Sequence, residues 1–211
     1  MGILLMGKHH LKALKLLKIY KMKFTDRKTI ELDKVINELD KFVFRFIKIL
    51  EKHTAYVIVS GYIAIILGRD RGTDDVDIII PKIDKANLNL LYKDLVKNGY
   101  WCINSSDLDD LYELLISKHS IRFAIEPAVS PNAEIKFSKD IYDNIALKNP
   151  IIIKIDNREL KTSFLELQIA YKEEVLKSNK DLEDAKHLRV IAAGYLNENL
   201  INEYKKRLRS K

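Results

Sequence analysis

The sequence has little cysteine and no long apolar run, and both shortages narrow the class of protein. The single cysteine, Cys102, excludes a disulfide within the chain, and its apolar surroundings favour a small buried side chain over a nucleophile. No apolar stretch reaches the ~18 residues of a membrane-spanning helix. The apolar run at 2–6 precedes the nearby lysines, whereas a secretory signal places its basic residues first. We therefore expect a cytoplasmic protein without a membrane span.

Other absences exclude several kinds of site. Neither Gly-Lys-Ser nor Gly-Lys-Thr occurs, so the chain has no phosphate loop of the kinase kind. The five histidines have neither the paired spacing of zinc ligands nor a partner for a nucleophilic triad. Gln168 is the only glutamine, beside abundant lysine, glutamate and isoleucine, which favours a thermophilic source.

Positive charge is concentrated at the two ends of the chain. The net charge is +7, yet residues 1–24 and 205–211 together contain eleven lysines and arginines and no acid. The remainder therefore carries a net charge of −4 and offers no general attraction to a phosphate backbone. The basic ends either bind RNA or an anionic surface, or only keep the protein in solution.

Apolar periodicity predicts an α+β fold: a small mixed β-sheet that carries an acidic strand, flanked by helices, with a helical C-terminal portion. The predicted division is a basic N-terminal segment at 1–28, an α/β domain at 29–162 and a helical portion at 163–211. Strands are expected at 55–59, 75–80, near Tyr100, at 121–125, and as a hairpin at 151–155 and 159–161. Helices are expected at 32–52, 62–67, 88–96, 107–117, 163–177, 181–193 and 197–208. The helix at 32–52 is apolar enough to serve either a core or a homodimer.

Two alternating carboxylates, Asp75 and Asp77, are the main chemical signal. Alternation along 75–80 directs both to one face of a strand. Like charges so close resist ionisation together unless a cation is shared between them. Mg²⁺ prefers carboxylate oxygens, so the pair predicts a divalent metal site and phosphoryl chemistry.

Around this pair the sequence resembles the nucleotidyltransferases of the DNA polymerase β superfamily. The resemblance rests on Val59-Ser60-Gly61-Tyr62 followed by Gly68-Arg69-Asp70-Arg71-Gly72-Thr73-Asp74-Asp75-Val76-Asp77-Ile78. These stretches are similar to the family's pattern of a glycine turn, a short helix and an acidic strand. Ser60 departs from it, because this branch usually has a glycine there.

The resemblance implies a role for each part of the motif. The turn at Ser60 and Gly61 is expected to hold the phosphates of a nucleoside triphosphate, and two Mg²⁺ ions are expected on Asp75 and Asp77. A third carboxylate from a neighbouring strand is expected, for which Glu126 is the candidate, the alternative being an exposed strand-end acid. Arg71 is expected to neutralise triphosphate charge or else to be a surface residue, and Thr73 to brace the aspartates.

A second stretch resembles the C-terminal motif of the abortive-infection (AbiEii-like) branch, which includes toxins of toxin–antitoxin pairs. It comprises Leu165 to Lys172 and Lys180-Asp181-Leu182-Glu183-Asp184. There the resemblance implies that Lys172 reaches toward nucleotide phosphate and that Lys180, Asp181 and Asp184 line the same cleft. The alternative is ion pairing at helix ends.

The leading hypothesis is a Mg²⁺-dependent nucleotidyltransferase that moves a nucleoside monophosphate from a triphosphate to an acceptor hydroxyl and releases pyrophosphate. An RNA 3′ end, a protein hydroxyl and a small molecule such as an aminoglycoside are all acceptors in this superfamily. The first alternative is a non-catalytic member that binds nucleotide, RNA or a partner, as one half of a toxin–antitoxin pair. The second is an α/β scaffold whose acids carry no function.

Overall fold

The computed structural model describes residues 22–210, so most of the predicted basic segment at 1–28 lies outside the described residues. The chain forms two compact units. Of the described residues, the terminal unit contains those from Met22 to Val35, Ile63–Arg71, and those from Ile151 to Ser210. The central unit contains Ile36–Tyr62 and Gly72–Pro150. No helix within residues 22–210 combines the length and apolarity needed to cross a membrane.

The described residues contain nine strands and eight α-helices. The strands are β1 (Met22–Phe24), β2 (Thr29–Leu32), β3 (Val57–Ile58), β4 (Asp75–Ile80), β5 (Tyr100–Cys102), β6 (Ile121–Ile125), β7 (Asn132–Phe137), β8 (Ile151–Ile155) and β9 (Arg158–Thr162). The helices are α1 (Glu38–Leu50), α2 (Gly61–Ile66), α3 (Lys85–Lys97), α4 (Leu108–Ile116), α5 (Ile141–Lys148), α6 (Leu165–Tyr171), α7 (Asn179–Ile191) and α8 (Glu198–Arg209). A π-helical segment, Lys172–Leu176, follows α6 directly.

In the central unit the strand order is β3-β4-β7-β6-β5. The β4/β7 pair is parallel and the other pairs are antiparallel. One face of these strands is apolar and buried, as Val76, Ile78 and Phe123 show. Phe46 of α1 and Tyr92 of α3 pack on Phe123 with ring centroids 6.2 and 6.3 Å away. The helices therefore cover this face, and the opposite face carries the polar side chains.

In the terminal unit the strand order is β1-β2-β8-β9, with β2 and β8 parallel and the outer pairs antiparallel. The helices α6, α7 and α8 and the π-helical segment are joined by ion pairs. Arg189 of α7 bonds to Glu173 and Glu198, and Lys205 of α8 bonds to Glu173 and Glu174. These contacts fix the helix ends around Lys172.

The predicted fold class is confirmed: the protein is α+β, with mixed strand pairing and flanking helices. The helix predicted from Leu32 begins later, at Glu38, because Asn37 and Asp40 form a reciprocal cap of side chain and backbone that satisfies the first free N–H groups. Leu32 belongs to β2 instead. Strands β1, β2 and β7 and helix α5 were not predicted.

Candidate active site

Asp75 and Asp77 lie on the polar face of β4, as the alternation predicted. Val76, which lies between them in sequence, and Ile78, which follows Asp77, are buried on the opposite face. Asp75 is exposed and Asp77 is half-buried. Both carboxylates are therefore on the side of the strand that the helices leave open.

Strand β7 adds a third carboxylate to this face. Its parallel register with β4 places Asn132 beside Asp75 and Glu134 beside Asp77. Neighbouring residues in register project from the same side of a sheet. We call this surface of Asp75, Asp77 and Glu134 the acidic face. The periodic apolar residues Ala133, Ile135 and Phe137 were the signal in the sequence that could have revealed this strand.

The structure does not place Glu126 on a strand next to Asp77. Strand β6 ends at Ile125, and Glu126 is exposed in the turn that follows. Strand β7 also lies between β6 and β4, so a residue at the end of β6 is two strands away, about 9–10 Å at the usual spacing. Glu134 on β7 is therefore the better candidate for the third carboxylate.

Each carboxylate of the acidic face has a partner on a neighbouring strand. Asn132 Nδ2 donates to Asp75 Oδ1 at 2.8 Å, and Lys136 Nζ lies 3.2 Å from Asp77 Oδ1. Arg122 Nε of β6 donates to Glu134 Oε2 at 2.8 Å. The hydrogen bond and charge of Glu134, with smaller contributions from both aspartates, raise the pKa of Arg122 above its usual value.

The donor chemistry of the acidic face suits a hard divalent cation. Asp75, Asp77 and Glu134 offer carboxylate oxygens, and Asn132 Oδ1 is buried without a hydrogen-bond partner. Carboxylate and amide oxygens are the ligands that Mg²⁺ and Mn²⁺ prefer. Within residues 22–210 no three His, Cys, Asp or Glu side chains are gathered as a metal site. Metal binding would therefore require these carboxylates to move closer together.

The turn before α2 joins the acidic strand to the core of the central unit. Val59 N donates to the carbonyl oxygen of Asp77 at 3.0 Å. Tyr62 donates to the buried carboxylate of Asp40 at 2.9 Å. Burial, then the charge and hydrogen bond of Asp40, raise the pKa of Tyr62 well above its usual value. The turn at Ser60 and Gly61 is thus held on both sides.

Ser60 has a φ of 65°, in the left-handed region that favours glycine. This is the position at which the resemblance expected a glycine. We expect Ser60→Gly to be more stable than Ser60→Ala by about 1 kcal/mol, because both lose the hydroxyl and only alanine keeps a Cβ. Urea unfolding of the two variants measures the difference.

The same pair of substitutions at Ser106 is the control. Ser106 is an exposed loop residue, and its φ is not positive. There alanine should be the more stable variant by about 0.4–1 kcal/mol, since glycine increases the entropy of the unfolded chain. Equal stability of Ser60→Gly and Ser60→Ala would contradict a strained turn.

The residues before Asp75 are bonded to the strand and to the segment leading into β7. The hydroxyl of Thr73 donates to the backbone carbonyl of Asp75 at 3.1 Å. The side chain of Asp74 accepts from Ser130 Oγ at 2.9 Å, and the Asp74 carbonyl accepts from Asn132 N at 2.8 Å. Thr73 and Asp74 therefore hold the start of β4 in position, and Asp74 has its own partner away from the acidic pair.

The residues of the C-terminal motif meet in the terminal unit, around a buried carboxylate. Asp184 and Lys172 have side chains 0% and 1% exposed, with Lys172 Nζ 2.9 Å from Asp184 Oδ2. Arg69 pairs with Asp184 Oδ1, and Arg71 pairs with Asp184 Oδ2 at 2.7 Å. Three cations therefore share one carboxylate. Burial, then the charge of Arg69, lower the pKa of Arg71 from its usual value.

Asp181 and Lys180 lie at the start of α7 beside this cluster. Asp181 pairs with Lys172 at 3.2 Å and with the capping hydroxyl of Ser178. Burial raises the pKa of Asp181, but those hydrogen bonds and nearby positive charges hold it below its usual value. Lys180 contributes its backbone carbonyl, which accepts from Arg69 at 2.9 Å. Sequence reasoning missed Arg69, whose partner lies 115 positions later.

Comparisons with known proteins give weak likenesses only. No protein-family model matches the sequence, and no curated protein does. A solution structure of the antibiotic-resistance factor ANT(2'')-Ia has a TM-score of 0.46 at 15% identity, over 81% of this chain and 90% of that one. A crystal structure of ANT(2'')-Ia in complex with adenylyl-2''-tobramycin has a TM-score of 0.48 at 14% identity, over 81% and 96%.

A crystal structure of an antigenic nucleotidyltransferase-like protein from Paracoccidioides brasiliensis has a TM-score of 0.47 at 15% identity, over 81% of this chain and 86% of that one. One of these neighbours is thus described as nucleotidyltransferase-like, and another is a complex with adenylyl-2''-tobramycin. At TM-scores below 0.5 the likenesses establish no function for this chain. Its function has to be argued from the residues.

Proposed function

We propose that the protein is a Mg²⁺-dependent nucleotidyltransferase that uses the acidic face to act on a nucleoside triphosphate. The observation that carries this proposal is the register of β4 and β7, which puts Glu134 beside Asp77 and Asn132 beside Asp75. The turn at Ser60 precedes the paired aspartates in sequence and is bonded to their strand, because Val59 N donates to the carbonyl oxygen of Asp77. The motif resemblance and the strand register thus support the same face.

Asp75, Asp77 and Glu134 are the residues that would hold the metal ions. Mg²⁺ held by these residues would activate an acceptor hydroxyl and stabilise the charge of the leaving pyrophosphate. Asn132 orients Asp75 through a hydrogen bond of 2.8 Å. Thr73 fixes the backbone of Asp75, so this carboxylate is positioned from two directions before any ligand binds.

The buried cluster of the terminal unit would act by positioning rather than by direct contact. Lys172 and Asp184 are almost fully enclosed, so neither side chain reaches a ligand as placed. Their effect is to fix Arg69 and Arg71, whose side chains remain 19% and 17% exposed. Guanidinium groups are suited to phosphate oxygens. We therefore propose that the terminal unit binds phosphate oxygens through these two arginines.

Thermal unfolding with each of ATP, GTP, CTP and UTP tests the proposal, in Mg²⁺ and in EDTA. We expect stabilisation by a triphosphate only when Mg²⁺ is present, by about 2.7 kcal/mol at a concentration of 100 times Kd. Glu134→Gln should remove this stabilisation. Glu126→Gln is the matched control and should retain it, because Glu126 lies in the turn beyond β6.

Three results would contradict the proposal in whole or in part. Equal stabilisation in Mg²⁺ and in EDTA would indicate triphosphate binding without a metal site. Loss of the effect in Glu126→Gln with retention in Glu134→Gln would return the third carboxylate to Glu126. A protein that responds to no triphosphate would favour the non-catalytic alternative.

A further inference from the structure

Lys136 brings a positive charge onto the acidic face. It follows Glu134 by two positions on β7, so both side chains project from the same side of the sheet. Its ammonium lies 3.2 Å from Asp77 Oδ1, and the side chains of the pair are 25% and 23% exposed. Asp77 therefore already has a counter-ion within the protein, whereas Asp75 has the neutral partner Asn132.

A divalent cation on Asp77 would bring a second positive charge to the carboxylate that Lys136 now contacts. Lysine is a point charge on a flexible stem with three rotatable donors, and this one is partly open to solvent. Ion pairs of that kind are weak, so the ammonium can leave without a backbone change.

Displacement would leave the ammonium next to whatever the metal binds. A free cation on the same face as a metal–triphosphate complex is attracted to the phosphate oxygens, which carry the negative charge of that complex. The energy needed to break the pair with Asp77 is then recovered at the phosphate. Metal binding and triphosphate binding become coupled through one side chain.

We propose that Lys136 is a displaceable counter-ion, which holds Asp77 when no divalent cation is bound and moves to a phosphate oxygen when metal and triphosphate bind. This inference rests on the proposed function. It assigns to β7 a residue that sets the affinity for the metal as well as for the triphosphate.

Isothermal titration of Lys136→Met with Mn²⁺ alone, and then with Mn²⁺-tripolyphosphate, tests the exchange. Mn²⁺ alone should bind about two- to fivefold more tightly than to the wild type, since it no longer competes with the ammonium. Mn²⁺-tripolyphosphate should bind about tenfold more weakly, because the variant cannot form a charged hydrogen bond to phosphate. Lys136→Gln, which keeps a polar end without the charge, should behave in the same way.

Lys154→Met is the matched control. Lys154 is also a strand lysine paired with a carboxylate, Glu159, at 3.0 Å, and the two are directly opposite in the β8/β9 register. The Lys154→Met variant should bind Mn²⁺ and Mn²⁺-tripolyphosphate as the wild type does. Since each substitution removes one partly exposed ion pair, the comparison removes any general effect of net charge.

The two titrations separate the possible failures. Unchanged or weaker binding of Mn²⁺ to both Lys136 variants would overturn the inference, and so would unchanged binding of Mn²⁺-tripolyphosphate. In either case the proposed function would stand, provided that the wild type binds Mn²⁺ and Asp77→Asn does not. A wild type that binds neither probe would overturn the proposed function and this inference together.

Discussion

Asp77→Asn is expected to lower turnover by at least about a thousandfold while the protein remains folded. The amide keeps the size of the side chain but removes the charge that would hold a metal ion and stabilise the transferring phosphate. In the folded state the substitution removes only a partly exposed ion pair with Lys136, which contributes less than about 1 kcal/mol. Pyrophosphate release measures turnover, and circular dichroism with urea unfolding measures the fold.

Asp74→Asn is the control for this prediction. Asp74 is adjacent in sequence to the acidic pair, but its carboxylate accepts a hydrogen bond from Ser130. An asparagine oxygen can accept the same bond, so turnover should stay within about twofold, as expected for a surface change. Equal losses of turnover in Asp74→Asn and Asp77→Asn would show that any negative charge in or next to the start of β4 affects activity. Full activity of Asp77→Asn would contradict the assignment of the acidic face.

Asp184→Asn is expected to lower the free energy of unfolding by about 3–5 kcal/mol. The substitution removes the carboxylate that Lys172, Arg69 and Arg71 share, although Asp181 remains 3.2 Å from Lys172. Removing one member of a buried charge network has a cost of this size, because three positive charges then face one fewer carboxylate. Urea unfolding followed by circular dichroism gives the change.

Lys172→Met should lower the free energy of unfolding by less than Asp184→Asn does, because Asp184 then retains two arginine partners. Glu183→Gln is the surface control on the same helix. Glu183 is 59% exposed and pairs only loosely with Lys186 at 3.7 Å, so the expected change is within about 0.5 kcal/mol. A cost for Asp184→Asn no larger than that of Glu183→Gln would exclude a central role for this carboxylate.

Local patterns in the sequence were sufficient to predict most elements of the fold. The alternation at Asp75–Ile80 ends at Pro81, and the structure has β4 at those bounds. Ile151–Ile155 likewise forms one strand of the predicted hairpin. Capping shifted helix α1, because Asn37 and Asp40 begin it six positions after the predicted start. Periodicity indicates where a helix can form, while capping decides where it begins.

Identifying the candidate for the third carboxylate requires the order of the strands in the sheet, which the local sequence pattern does not contain. The sequence predicts β6, which makes Glu126 the candidate, but it does not predict β7. The pairing of β4 with β7 joins Asp77 to a residue 57 positions later, Glu134. Such a pairing is set by the packing of the whole sheet. The alternation of Ala133, Ile135 and Phe137 was present, but it did not indicate the neighbour.

The buried cluster shows the same limit in another form. Lys172, Asp181 and Asp184 were singled out from a motif, yet the motif did not indicate that Lys172 and Asp184 would be enclosed. Nor did it indicate that Arg69 and Arg71 would share Asp184, because they precede it by more than one hundred positions. Burial and partner choice are tertiary properties. The motif predicted that these residues lie together, and the structure shows which of them are buried and which are paired.

The most direct test of the acidic face is anomalous diffraction from crystals grown with Mn²⁺ and a non-hydrolysable analogue of the triphosphate that stabilises the protein. The account predicts manganese peaks within bonding distance of Asp75 and Asp77, with Glu134 turned toward them and phosphate oxygens completing the coordination. A triphosphate bound without manganese at Asp75 and Asp77, or manganese bound elsewhere, would contradict it.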